Sequence, residues 1–249
     1  MQKARADSAS LVRLTGVHKQ YRNGMFAVRA LHDIHLEVEP GEMLAVCGPS
    51  GHGKTTLLNL IGLLDTASAG EVEFDGKGVA SLSEAQRALL RASTVGLVFQ
   101  SFSLVPVLTA QDNVLLPLQL RARLTGAERK AAAEQAAELL ARLGLASHVR
   151  HYPARLDAGQ CQRVAIARAL ITRPRLVVAD EPTSRLDSGF VRMVSELFAS
   201  YQREYGTTFV ISTRDQRQLA RATRTLQLAD GRLLAAPADT ARRPLRMHQ

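Results

Sequence analysis

The sequence predicts an α/β fold in which helices pack on a mostly parallel sheet, and three observations carry that expectation. Short apolar runs recur with turn signals between them, as buried strands do. One of these runs leads through a glycine-rich loop straight into a helical stretch. Ala, Leu and Val are plentiful, while aromatics make up only 4% with no Trp, a composition that suits helices on a sheet better than an all-β sandwich. At 249 residues the chain is long enough to bury a sizeable core. No run approaches the roughly eighteen consecutive apolar residues that a bilayer-spanning helix needs. Residues 1–10 are basic without an apolar stretch and do not read as a secretory leader. Cys47 and Cys161 are too few for a disulfide framework and read as reduced thiols of a cytoplasmic protein.

Taken in order, Val12 and Leu14 share one face of a first alternating stretch, and Ile34, Leu36 and Val38 share one face of a second. Pro40-Gly41 then marks a turn. Met43–Cys47 reads as a buried strand, the glycine-rich loop follows, and a helix opens near Lys54. A strand ending at Phe74 stops at the Asp75-Gly76 turn signal, and 95–99 is a further apolar run. From Thr109 to about Arg173 the periodicity is helical. Within that block Thr125 and Glu128 form a capping-box signature ahead of an amphipathic run over 129–143, which Gly144 ends. Pro106, Pro117 and Pro153 read as boundary markers of the block. Strand signals return at 176–179, 207–212 and 225–228, the last turning through Asp230-Gly231 into Arg232–Leu234. The tail from Pro237 is polar and basic and is expected to be mobile.

The glycine-rich loop carries the chemistry. Gly48-Pro49-Ser50-Gly51-His52-Gly53-Lys54-Thr55-Thr56 fits G-x-x-x-x-G-K-[ST] between a strand and a helix, the context that gives this motif its meaning. Glycines let successive N–H groups turn inward around phosphates, and the helix N-terminus adds partial positive charge. Lys54 is placed to reach the β- and γ-phosphates of a nucleotide, and the Thr55 hydroxyl to coordinate Mg²⁺. His52 fills a variable slot and reads as a bystander. A second element agrees with the first: the apolar run Leu176-Val-Val-Ala ends in Asp180-Glu181. Asp180 can hold Mg²⁺ through water, and Glu181 can polarise an attacking water. Cys161 reads as a small packing residue.

The formal net charge of +9 is less specific. It fits nucleic acid, an anionic membrane surface or a solvated basic face, and the basic face near a membrane is the reading favoured here, with no nucleic acid expected.

The sequence resembles the ATP-binding subunits of ABC transporters from about Leu11 to Leu234, most closely the type that serves macrolide export and lipoprotein release. The likeness is carried by LLNLIGLLD at 57–65, VFQSFSLVP at 98–106, LTA at 108–110, NVLLP at 113–117, YPARL at 152–156, QRVAIARAL at 162–170 and DEPTS at 180–184. It implies a P-loop NTPase of the ABC type with an antiparallel β subdomain, and a helical subdomain inserted over about 101–173. It implies MgATP as ligand, head-to-tail dimers, transmembrane permease partners and a peripheral place on the cytoplasmic face of the inner membrane. Tyr21 resembles the aromatic that stacks on adenine, although an edge-strand Tyr is the plainer reading. Gln100 resembles the loop glutamine that contacts Mg²⁺ or the attacking water. Asp187 resembles the loop through which two subunits sense each other.

Three positions depart from the family pattern. Where the family signature reads Leu-Ser-Gly-Gly-Gln, this chain has Leu156-Asp157-Ala158-Gly159-Gln160. Asp157 replaces a hydroxyl donor with an acceptor, and at about 4 Å from a phosphate like charges repel by roughly 4 kcal/mol in an intermediate dielectric. Ala158 adds a methyl where backbone should approach phosphate. Asp remains a good N-cap, so the helix that follows should form. In the switch segment Ile211-Ser-Thr-Arg-Asp215, Arg214 stands where the family has His; it cannot cycle its proton but can donate a charged fork. Hydrolysis is therefore expected to be slow, and a non-catalytic regulator that binds ATP without turnover is the alternative. A sharper reading pairs Arg214 of one subunit with Asp157 of the other as an ionic latch. A double-mutant cycle of Asp157→Ser and Arg214→His checks it: a latch gives non-additive effects on dimerisation, and additive effects sink it.

Overall fold

A computed structural model describes residues 10–24 and 26–234 of the chain. The tails expected at 1–10 and 237–249 lie outside the described residues, apart from Ser10.

The chain opens with two long antiparallel strands, β1 (Val12–Asn23) and β2 (Phe26–Val38). Across the Pro40-Gly41 turn lies β3 (Met43–Cys47), then α1 (Lys54–Ile61). The strands β4 (Ala69–Phe74) and β5 (Lys77–Gly78) return to β1, giving a four-stranded antiparallel sheet in the order β2-β1-β4-β5. After α2 (Glu84–Thr94) and β6 (Val95–Val98) come three helices, α3 (Ala110–Arg121), α4 (Gly126–Arg142) and α5 (Ala158–Leu170). The remainder alternates: β7 (Leu176–Asp180), α6 (Ser188–Tyr205), β8 (Thr208–Ser212), α7 (Gln216–Leu219), β9 (Arg224–Ala229) and β10 (Arg232–Leu234). The second sheet runs β10-β9-β3-β8-β7-β6, parallel except for the β9–β10 hairpin.

The period-2 alternation of the buried strands assigns their two faces to two cores. Leu44, Val46, Val178 and Val210 face α1 and the antiparallel sheet, joining Leu14, Ile34, Leu57, Ile61 and Phe74. Their neighbours Met43, Val177, Phe209 and Ile211 face the other way, where Val114, Leu139, Leu140, Val164, Leu170, Val194 and Phe198 cover them. The helices between β6 and β7 thus share one apolar cluster with the parallel sheet and with α6.

Caps explain where the helices begin and end. Thr125 and Glu128 make the expected capping box at α4, and Gly144, at φ +70°, follows its last turn. The helix starts at Gly126, three residues before the predicted run, because the cap and not the first apolar residue sets the start. Pro117 corrects the sequence reading: it lies inside α3 and is not a boundary. A proline there removes one N–H but does not end a helix that neighbours hold by packing. Three helices go beyond the sequence expectation, α2, α6 and the short α7. The two longer ones had a signal: Ser83 and Gln86 form a capping box, and Asp187 accepts from the Gly189 and Phe190 N–H groups ahead of buried Val191, Val194, Phe198 and Tyr201.

Asn113 on α3 is fully buried and ties down the loop before its own helix. Its Oδ1 accepts from Val105 N–H (2.8 Å), and its Nδ2 faces the carbonyls of Val105, Leu108 and Thr109 at 3.0–3.1 Å. Truncation leaves a buried donor and several acceptors unpaired. Asn113→Ala should cost on the order of 2–3 kcal/mol, read as a lower midpoint in urea unfolding.

Candidate functional site

Because β3, β7 and β8 are parallel neighbours, their C-terminal ends meet at one edge of the sheet. That is where ligands bind in open α/β sheets. A cleft of roughly 730 Å³ opens there, lined by residues 50–56, Tyr21, Gln100, Asp180, Glu181 and Asp230 among others.

The loop after β3 packs too tightly for side chains at two of its glycines. At Gly48 (φ +146°) a Cβ would fall inside the Leu228 carbonyl, and at Gly53 (φ +96°) it would lie 2.5 Å from the Ala30 carbonyl oxygen. The loop is thus pressed between β9 and β2, with its backbone turned toward the cleft. Lys54 is buried and arches over the loop, its ammonium donating to the carbonyls of Gly48 (2.9 Å) and Pro49 (2.7 Å). His52 has a structural part that its slot in the motif did not suggest. Its Nδ1 accepts from Asp230 N–H (2.9 Å), and its carbonyl accepts from Gly231 N–H (3.3 Å), while the Gly231 carbonyl accepts from His32 N–H (2.8 Å). The loop, β2 and the β9–β10 turn are joined at that point.

Opposite the loop, the Thr55 hydroxyl donates to Asp180 Oδ2 (2.6 Å). The other carboxylate oxygen, Oδ1, accepts from the Ser212 hydroxyl. Glu181 follows in a left-handed conformation, φ +46°, with its N–H donated to Ser212 Oγ (2.9 Å) and to the Ser212 carbonyl (3.1 Å). Arg214 reaches over both: its Nη2 donates to Ser50 Oγ, and its Nε lies 3.6 Å from Glu181 Oε1. Gln100 lines the same cleft. The loop it opens is held by Arg168 on α5, which donates to the carbonyls of Phe102 (2.8 Å) and Ser103 (2.6 Å).

At the far end of the cleft Tyr21 donates to Asp65 Oδ2 (2.9 Å), and the Lys19 ammonium donates to Asp65 Oδ1 (2.6 Å) while lying 4.9 Å from the Tyr21 ring centroid. Burial pushes the Tyr21 phenol above its ordinary value; a hydrogen bond with Thr56 opposes this and the Asp65 carboxylate adds to it. Burial also pushes Asp65 up, but the Lys19 ammonium, the Thr66 N–H and the Tyr21 hydroxyl outweigh it and hold the carboxyl below its usual value.

A hard divalent cation fits these residues. Mg²⁺ is commonly held by one or two carboxylates together with phosphate and water oxygens, and Asp180, Thr55 and Gln100 present oxygens to one cleft.

The four residues Asp157, Ala158, Gly159 and Gln160 do not line this cleft. Asp157 caps α5: its Oδ1 accepts from Gln160 N–H (2.7 Å), and Gln160 Oε1 accepts from Asp157 N–H (2.9 Å). The helix-end charge favours an anion at that position. Within one chain, then, both members of the expected latch have partners of their own, Asp157 in its cap and Arg214 on Ser50 and Glu181. Cys161 is buried against the Pro153 and Leu156 carbonyls, as a packing residue would be. Ser212 is the functional candidate that sequence reasoning passed over. A hydroxyl at the C-terminal end of an otherwise apolar strand was the available signal.

A family model described as ABC transporter matches residues 31–184. The chain is 44% identical to the "Lipoprotein-releasing system ATP-binding protein LolD" of Bordetella avium over 90% of its length and 95% of that protein's. It is 42% identical to the "Macrolide export ATP-binding/permease protein MacB" of Syntrophobacter fumaroxidans over 89% of its length, which spans 31% of that longer protein. Among solved structures, a dimeric post-hydrolysis state of the ATP-binding cassette MJ0796 bound to ADP and Pi superposes with a TM-score of 0.85 and 38% identity, covering 89% of this chain and 96% of the other.

The Asp65 network yields a pH-dependent expectation. A carboxyl whose folded pKa is depressed adds stability above its unfolded pKa and loses that contribution as pH falls through the folded value. Asp65→Asn should lower the Tm at neutral pH, and the gap to the unsubstituted chain should close as pH falls below the ordinary carboxylate range. A gap that stays constant to low pH would rule out this account.

Proposed function

The chain belongs to the ABC transporter family, and we propose that it is an ATP-binding subunit of the lipoprotein-releasing and macrolide-exporting type, hydrolysing MgATP to drive a membrane permease. The observation that carries this reading is the convergence on one cleft of Lys54 and Thr55 from the start of α1 and of Asp180 and Glu181 from the end of β7. In this reading residues 11–234 form one ATP-binding domain with its helical insertion over about 101–173. Two copies face each other head to tail, so that residues 157–160 of one complete the cleft of the other.

Tyr21 offers its ring to the adenine, and the N–H groups of residues 48–56 wrap the phosphates. Lys54 exchanges its loop carbonyls for the β- and γ-phosphates. Asp180, Thr55 and Gln100 hold the cation, which when bound offsets charge on the phosphate oxygens. Glu181 accepts a proton from the attacking water, a group whose removal costs a hydrolase about 10²–10⁴ in rate. Arg214 acts inside its own subunit: its contacts with Ser50 and Glu181 support a role in steadying the base and meeting the terminal phosphate, rather than pairing with the partner's signature helix. Asp157 and Ala158 weaken completion of the site, which keeps turnover slow. A purely regulatory subunit is not favoured, because the acid in the base position is present.

No helix among the described residues is long and apolar enough to cross a membrane. We place the subunit at the membrane's cytoplasmic face, docked on its permease. The groove of roughly 430 Å³ beside the Gln100 loop, lined by Arg91, Phe99, Pro117 and exposed Leu120, supports docking there.

Glu181→Gln should keep ATP affinity within a few-fold while lowering hydrolysis at least about 100-fold; equilibrium binding and steady-state phosphate release, measured separately, check both halves. Reconstitution with the permease should raise the rate of the unsubstituted chain. Robust turnover without any partner would overturn the expectation of a slow enzyme.

A further inference from the structure

We propose that Ser212 is a positioning residue that holds the metal-binding acid and the base of the cleft in one fixed arrangement. The proposal rests on the reading of Asp180 and Glu181 given above and adds a residue to it.

Ser212 ends β8, paired directly with Asp180 at the end of β7, and it is fully buried. A buried hydroxyl without partners costs stability, so its partners tell what it is for. The two buried serines of α6 return their proton to their own helix: Ser195 donates to the Val191 carbonyl (2.7 Å) and Ser200 to the Leu197 carbonyl (2.8 Å). Ser212 does something else. Its single proton goes to Asp180 Oδ1, and its oxygen accepts from Glu181 N–H (2.9 Å). One hydroxyl is thereby bonded to both neighbouring acids, to the side chain of one and the backbone of the other.

Two consequences follow for the cleft. Asp180 is gripped on both oxygens by hydroxyls, Ser212 on Oδ1 and Thr55 on Oδ2, so the plane of its carboxylate is set. Ser212 keeps Oδ1, which leaves Oδ2, on the Thr55 side, for a cation. Glu181 sits at φ +46°, a left-handed conformation that is unfavourable for a non-glycine residue. Such a backbone persists only where its surroundings over-determine it. Here Ser212 receives the N–H through both Oγ and its carbonyl, and Ser184 donates to the Glu181 carbonyl from its N–H (3.2 Å) and hydroxyl (3.0 Å). Two residues further on, Arg214 contacts the Glu181 side chain. The end of β8 therefore sets the base twice, its backbone through Ser212 and its carboxylate through Arg214.

The test compares the full chain with Ser212→Ala and Ser212→Thr. Ser212→Ala should lower kcat about tenfold, the rate equivalent of one lost hydrogen bond of about 1.4 kcal/mol, while KM for ATP at saturating Mg²⁺ rises only several-fold, in step with the weaker Mg²⁺-dependent binding. Titration calorimetry supplies a readout apart from turnover. ATP affinity in EDTA should be unchanged, and the gain in affinity on adding Mg²⁺ should shrink several-fold. Ser212→Thr keeps the hydroxyl and should restore the Mg²⁺-dependent gain. Wild-type kcat and wild-type Mg²⁺ dependence in Ser212→Ala would overturn the proposal. So would an equal loss of affinity in EDTA and in Mg²⁺ accompanied by a matching fall in Tm, which is what general loosening produces. Glu181→Gln run in parallel separates the two levels. If that variant still turns over, the assignment of the cleft fails and Ser212 with it. If it stops turnover while Ser212→Ala does not, the Ser212 inference alone fails.

Discussion

The arrangement of this protein depends on three parallel strands, β3, β7 and β8, that end side by side at one edge of a sheet. A parallel pairing puts like ends together, so whatever follows each strand meets whatever follows the others. Here a phosphate-type loop follows the first, a pair of acids ends the second, and a segment with a hydroxyl and an arginine ends the third. The loop lies more than a hundred residues from the other two groups, and those two are 32 residues apart. Strand order makes them neighbours, and the alternating apolar side chains that bury both sheet faces keep the strands in that order.

Around that edge, polar groups are held by one another. Asp180 is bonded by Thr55 and Ser212, Asp65 by Lys19 and Tyr21, and Lys54 by carbonyls of its own loop. Polar groups arranged in this way are pre-set for a charged ligand, because little reorganisation remains when it arrives. The departures from the family pattern fit within the same logic. Asp157 became a helix cap, and Arg214 became a bridge between the loop and the base. Each substitution changes how the site is completed without unbuilding the element that carries it.

The helices between β6 and β7 connect to the cleft by specific contacts. Arg168 on α5 holds the loop that Gln100 opens, and Asn113 on α3 holds the end of that same loop. Movement of the helical block would thus reach the cleft through one loop clasped at both ends, the kind of segment through which docking at a neighbouring groove can alter a site.

What the sequence determined alone was everything set by local rules. The glycine-rich loop, the acid pair after an apolar run, the capping box at Thr125 and the strand at Met43–Cys47 are each written in a short window, because backbone conformation and period depend on near neighbours. Pro117 misled for the same reason: locally it reads as a break, and only packing keeps α3 intact around it. The tertiary structure alone decided how distant groups pair. Nothing near Ser212 in the chain announces that its proton belongs to Asp180, nothing near His52 points to Asp230, and Arg214 could equally have served a partner subunit. Hydrogen bonds and ion pairs of that kind depend on angstrom-scale distances between separate strands, and those distances exist only once both faces of the sheet are packed.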